Sequence, residues 1–193
     1  MKGIIFSEAI FKAVIEGRKT QTRRIMKTQP IEVWDGVPIK SASDTIAIYK
    51  EIKLRYKVGE VVYLKEPYQY VGGYNAGIKY KYDNDENINL IVGIIWKNKL
   101  FMPEKYARYF IEITDVRVER VQDISEEDCL KEGILCKKFI GDNSKYFYET
   151  PTISSGFYDT PQQAYAALID KINGKGTWEA NPFVWVYEFK LVK

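Results

Sequence analysis

The chain opens on a short apolar run, Ile4-Ile5-Phe6, which predicts a strand, and Ser7 stands directly after it in the position of a helix cap. Ile10, Phe11, Val14 and Ile15 then recur on one helical stripe, and Gly17 marks its end. The following KTQTRRIM alternates as a strand or extended loop. Between Pro30 and Lys57 the pattern turns irregular and polar, with a short helix expected around Asp44 to Lys53.

A turn at Val58-Gly59-Glu60 feeds VVYLKE, whose two faces are both mixed, as suits a strand of a small barrel. From Tyr68 to Met102, turns rich in Gly, Asn and Asp separate the runs IKYKY, NLIVGIIW and KLFM, which predicts two or three further strands. RYFIEITDVRVERV reads as one long alternating strand, bent or bulged along its length. ISEEDCLKEG carries a helix signature: Ser125 as N-cap, Asp128 as its capping-box partner, Glu126 and Glu127 in the first turn, and Gly133 at the stop. Residues 137–159 read as an inserted loop or hairpin. Thr160-Pro161 then opens a helix with Tyr165, Leu168, Ile169 and Ile172 inward, and FVWVYEFKLV is a final strand with apolar residues on both faces. The order of elements predicts an α+β fold, a small mixed β-barrel with flanking helices.

At 193 residues the chain suits one domain, and its 15 tyrosines and 9 phenylalanines favour strands with aromatic faces. The net charge of +3 is too weak as a whole-protein field to argue for nucleic acid unless it is concentrated locally. Cys129 and Cys136 fit no zinc spacing, and with no histidine to complete a set, a structural metal is not expected. The absence of histidine also removes the usual general base, so any catalysis must use Lys, Glu, Asp, Tyr, Cys or water. No apolar run is long enough to span a bilayer, and the start MKGIIFSEAIF lacks a signal peptide's apolar region, so a cytoplasmic protein is expected.

The stretch GRKTQTRR, residues 17 to 24, packs Arg18, Lys19, Arg23 and Arg24 with Thr20 and Thr22 into eight positions. Such a cluster is either a solvated basic turn or a phosphate-binding or nucleophilic site. A second candidate lies near the end, where Lys175, Trp178 and Asn181 sit in a Gly-flanked loop suited to holding a nucleotide with backbone amides, a cation and an aromatic face.

Three separated stretches, GRKTQTRR, ITDVRVERVQDISEEDCLKEG and NGKGTWEANPFVWVYEFK, together resemble the ASCH domain family of PUA-like β-barrels, in particular the longer form found in phages and prophage regions. Relative to the smallest members, residues 28–57, 68–98 and 137–159 look like insertions. The resemblance implies a cleft between the barrel and its first helices and a ligand that is RNA or a modified nucleoside. Some small bacterial members are amidohydrolases acting on N4-acetylcytidine through a lysine, a threonine three positions later and a glutamate in a distant helix. Those positions fall here on Lys19, Thr22 and Glu132. Arg24 matches a family arginine, whereas Arg23 stands where the enzyme type carries an apolar residue. The long form's pattern also matches Lys65 and Glu66 at a strand end and Arg108 after Met102-Pro103, as cleft or phosphate contacts.

A threonine hydroxyl becomes a nucleophile only when a base takes its proton, and a lysine serves as that base only when burial or nearby cations lower its pKa. On a regular strand, residues 19 and 22 face opposite sides, so a turn or bulge must interrupt the alternation for them to meet. Thr20 is the reserve candidate, since it shares a strand face with Thr22 and Arg24. The alternative to the amidohydrolase is a non-catalytic RNA-binding module, with Arg18, Lys19, Arg23, Arg24 and Lys175 on phosphates. A third reading is a factor that binds a host protein through the insertions. No cofactor is indicated.

Overall fold

A computed structural model describes residues 1–41, 49–72, 76–83, 95–139, 142–152 and 156–192. Its frame is a five-stranded sheet in the order β1 (Gly3–Ile5), β6 (Val61–Lys65), β9 (Phe110–Arg120), β12 (Phe183–Leu191), β2 (Gln21–Ile25). β1 runs parallel to β6, and the other pairs are antiparallel. β12, paired on both sides by β9 and β2, is an interior strand, and its alternation is apolar on both faces: Val184, Val186, Tyr187 and Phe189 are all buried. The expected irregularity in the long strand is a register shift between Glu188 and Phe189 of β12, where Asp115 and Ile113 stand opposite.

The sheet does not close. β1 and β2 are its two edges, and no backbone ladder joins them among the described residues. The sheet nevertheless curls enough to bring these edges within side-chain reach, since the Arg24 guanidinium donates to the Ile5 carbonyl at 2.9 Å. In place of the expected small barrel the frame is thus an open, curled sheet of an α+β fold, with a seam between its two edges. β1 is only three residues long, and side chains rather than a paired strand occupy the space beside β2.

The helix α1 (Glu8–Ile15) buries Ile10, Phe11 and Val14 against the core, with Ser7 at its N-cap position but making no side-chain cap bond. Gly17, at φ 73°, turns the chain out of it. In α2 (Glu126–Lys131), Ser125 Oγ accepts from the Asp128 amide. The return half of the expected capping box is not made, because the Asp128 carboxylate is drawn to Arg23 and Arg117. In α3 (Pro161–Asn173), Thr160 Oγ1 caps the Gln163 amide, and Tyr165, Leu168 and Ile169 are buried. Ile172, expected inward, is 52% exposed at the helix end. A last short helix, α4 (Thr177–Ala180), leads into β12.

The three expected insertions form small sheets outside the frame. In the first, β3 (Glu32–Trp34), β4 (Val37–Ser41) and β5 (Tyr49–Glu51) make a three-stranded sheet. The helix expected at Asp44 to Lys53 is thus replaced by strand at 49–51, and its start lies outside the described residues. Lys50 and Glu51 have ladder partners on β4, and that pairing overrides a weak local helix pattern. The second contributes β7 (Tyr68–Val71) paired with β8 (Gly77–Tyr80), while most of NLIVGIIW lies outside the described residues. KLFM forms a single 3₁₀ turn over Lys99–Phe101 instead of a strand, with Asn98 accepting from the Leu100 amide. The third is a hairpin of β10 (Leu135–Phe139) and β11 (Asp142–Glu149). No helix among the described residues is long and apolar enough to cross a membrane.

Candidate functional site

The seam between β1 and β2 holds a cavity of about 130 Å³. A void of about 150 Å³ takes one benzene, so this one suits a single six-membered ring. Among its lining side chains are Phe6, Lys19, Thr22, Arg24, Glu132 and Tyr165. Lys19 and Thr20 precede the strand rather than belonging to it. The Lys19 amide donates to Ala13 at 2.9 Å and the Thr20 amide to Lys131 at 3.0 Å, which ties this short link to α1 and α2. Regular alternation begins only at Gln21. Lys19 and Thr22 therefore line the same cavity, as the interrupted strand requires.

Glu132 caps the C-terminus of α2, 113 positions along the chain from Lys19. Both are almost sealed from solvent, at 4% and 2% exposure. Lys19 Nζ donates to the Glu132 carboxylate at 2.5 Å and to the Glu132 backbone carbonyl at 2.8 Å. Placing a cation there also suits the negative end of the helix. Gly133, at φ 98°, packs beside the Lys19 stem and lets the chain leave α2 without covering the pair.

Burial is the largest influence on Lys19 and pushes its pKa below the ordinary 10.5. The Glu132 carboxylate opposes that shift, while Arg24 and Arg23 add to it. A buried lysine with a lowered pKa is the condition for an amine to take a proton from Thr22. The Thr22 hydroxyl itself makes no hydrogen bond among the described residues, and Thr22 is buried. Cys129 is no competing nucleophile: burial pushes its thiol up to about 12.

Arg23 sits beneath the cavity as part of a charge network. Its guanidinium donates to Glu119 at 2.7 Å, to Asp128 at 2.8 Å and to Gln21 at 2.5 Å, and it approaches Glu132 at 3.7 Å. Arg117 joins the same carboxylates and Glu188. Asp128 is desolvated, but the hydrogen bond and charge of Arg23 outweigh this and hold its carboxyl below the ordinary 3.8. Within this network three buried polar atoms have no hydrogen-bond partner: Arg23 Nε, Glu132 Oε1 and the Tyr165 hydroxyl. All three belong to residues lining the cavity. Leaving such groups unpaired costs about 1–3 kcal/mol each, so this side of the cavity favours an occupant, water included, that offers both donors and acceptors.

The remaining predicted residues lie elsewhere or have structural partners. Arg18 is exposed and pairs with Glu16, and Thr20 is exposed. Lys65 donates to the Leu100 carbonyl at 2.9 Å. Glu66 is fully buried in a bidentate pair with Arg108, at 2.9 and 2.8 Å, and Arg108 also binds Asp83 and stacks on Tyr80. In the Gly-flanked loop, the amides of Gly176 and Trp178 donate to the Asp170 carboxylate at 3.1 and 2.8 Å, so the chain supplies its own anion there. Trp178 packs edge-on against Tyr165 at 6.2 Å, Asn181 accepts from the Gln122 amide, and Lys175 is exposed. None of Arg18, Thr20, Lys65, Glu66, Arg108, Lys175, Trp178 or Asn181 lines the cavity.

Sequence reasoning missed Tyr165 as a site residue, because it lies on the apolar stripe of α3 and reads as core. It also missed the second role of Asp128, whose position matched a cap. No family model, curated protein or solved structure matches the chain.

Proposed function

We propose that this chain is an ASCH-type protein with a PUA-like core that hydrolyses the acyl amide of an N4-acylated cytidine. The observation that carries the reading is the meeting of Lys19, Thr22 and Glu132 in one ring-sized cavity, with Lys19 buried and its pKa lowered. Thr22 Oγ attacks the acyl carbonyl carbon as its proton passes to neutral Lys19 Nζ. The oxyanion that forms accepts from the unpartnered Arg23 Nε–H and Tyr165 O–H. The C–N4 bond then breaks, and Lys19 returns the proton to the leaving amine. Water hydrolyses the acyl-threonine, releasing the carboxylic acid. Glu132 orients the Lys19 ammonium, and its free Oε1 accepts from the substrate's amide N–H.

The alternative of an RNA module that clamps phosphates with GRKTQTRR fits less well. Lys19 and Arg23 are buried in ion pairs rather than presented to a backbone. The test is cytidine release from N4-acetylcytidine by purified protein, beside Lys19→Ala and Thr22→Ala variants whose folding is checked by circular dichroism. Turnover in the wild type and a loss of about 10³-fold or more in both variants is expected. Absence of turnover in the wild type overturns the reading.

A further inference from the structure

Arg24 faces two ways. Besides the seam cavity, it lines a groove of about 520 Å³ that shares Ile5 and Asn173 with that cavity and so continues from it. Among the described residues, four cations line this groove, Arg24, Lys27, Lys53 and Arg55, and no acidic side chain does. The whole chain carries a net charge of only +3, so four cations in one groove make it locally more positive than the molecule as a whole. The contrast with the seam cavity is physical: there Lys19 and Arg23 each have a carboxylate in ion-pair contact, whereas among the described residues Arg24 has none and instead donates to the Ile5 carbonyl and lies over the face of Phe6 at 5.2 Å. Lys27 and Lys53 are exposed and make no ion pair among the described residues, and Arg55 lies over the Tyr56 ring at 5.3 Å. Trp185, opposite Arg24 in the β2–β12 ladder, adds a half-buried aromatic wall.

We propose that this groove binds the phosphate of a nucleotide whose base occupies the seam cavity, so that the ligand is a phosphorylated cytidine rather than the free nucleoside. The base placement rests on the function proposed above. The groove's own chemistry does not: a groove lined by four cations and three aromatic side chains, without a counter-charge among the described residues, is an anion site whatever the cavity does. Its volume lies within the range of small-ligand sites, while the cavity alone holds only a ring. Lys53 and Arg55 come from the segment 28–57, which gives that insertion a role in recognition.

The phosphate has two sources, a mononucleotide or a phosphodiester in single-stranded RNA, and calorimetric titration with cytidine, 5′-CMP and octacytidylate separates them. Wild-type protein and a Lys53→Gln/Arg55→Gln variant are compared, with thermal melting as the control for folding. The expected result is that at least one phosphorylated ligand binds about tenfold or more tightly than cytidine, and that this preference collapses in the variant. If octacytidylate alone shows it, the source is RNA; if 5′-CMP shows it equally, a mononucleotide suffices. With four cations engaged on RNA, log K should fall with log salt at a slope of roughly −3, and at about half that in the variant. The proposal is overturned if neither phosphorylated ligand is preferred over cytidine, or if the preference survives in the variant. These titrations involve no turnover, so failure of the hydrolysis assay leaves them intact, and their failure leaves the hydrolysis reading intact.

Discussion

Three side chains carry the residue-scale argument. Lys19 is the proton acceptor only when neutral, so kcat/KM should rise with pH through its lowered pKa, with an inflection below the ordinary 10.5. Glu132 opposes that lowering through its charge and its hydrogen bond. Glu132→Gln removes the charge and leaves only a neutral amide oxygen to accept from Lys19, so the inflection should move to still lower pH even as the maximum rate falls. A pH–rate profile of the variant reads this directly, and an inflection that stays or moves upward contradicts the assignment. Tyr165 separates stability from function. Its hydroxyl is buried without a partner, so Tyr165→Phe should stabilise the fold by about 1 kcal/mol. The same change removes an oxyanion donor and should lower kcat by about 10²-fold. Denaturant unfolding and steady-state kinetics on one preparation check both signs.

At the scale of elements, α2 is joined to the sheet through ions. Asp128 binds Arg23 and Arg117, and Arg23 is buried with Nε already unpaired. Removing the carboxylate takes charge-assisted hydrogen bonds from both Arg23 and Arg117 and leaves Arg23 to Glu119 and Glu132, so Asp128→Asn should cost about 2–3 kcal/mol near neutral pH. For a domain of this size that is a fall in Tm of roughly 6 °C. Because the folded-state pKa of Asp128 is lowered, its contribution is present above the unfolded value of 3.8 and is lost as pH falls through the folded value. The gap between wild type and variant should therefore shrink below about pH 4, which melts taken across that range measure.

For the whole molecule, the frame and its additions are separable. β10 and β11 form a two-stranded sheet of their own, tied to the frame by the Tyr148–Tyr158 bridge near its base, and the cavity is lined from β2, α1, α2, α3 and the residues beside them. Lys137 stands opposite Phe147, so replacing residues 138–146 by Asn-Gly closes a two-residue hairpin at that pair. The shortened protein should unfold cooperatively and keep hydrolysis within about twofold of wild type, since distant sites act independently. Loss of activity in a folded variant would give the hairpin a part in the site.

Local pattern determined much of this protein. The caps at Ser125 and Thr160, the stop at Gly133 and the alternation of β9 and β12 are all visible because each depends on neighbours a few residues away. The residue types of the site were legible through the family resemblance and the composition, in the basic octapeptide and in a chain without histidine. Tertiary structure alone decided where they meet. Glu132 reads as the solvated end of a short helix until α2 packs on β2 and buries it against Lys19, and Tyr165 reads as core until the open seam leaves its hydroxyl unpaired. The seam itself is a long-range result: whether β1 reaches β2 depends on the curl accumulated over five strands, which no local window of sequence encodes.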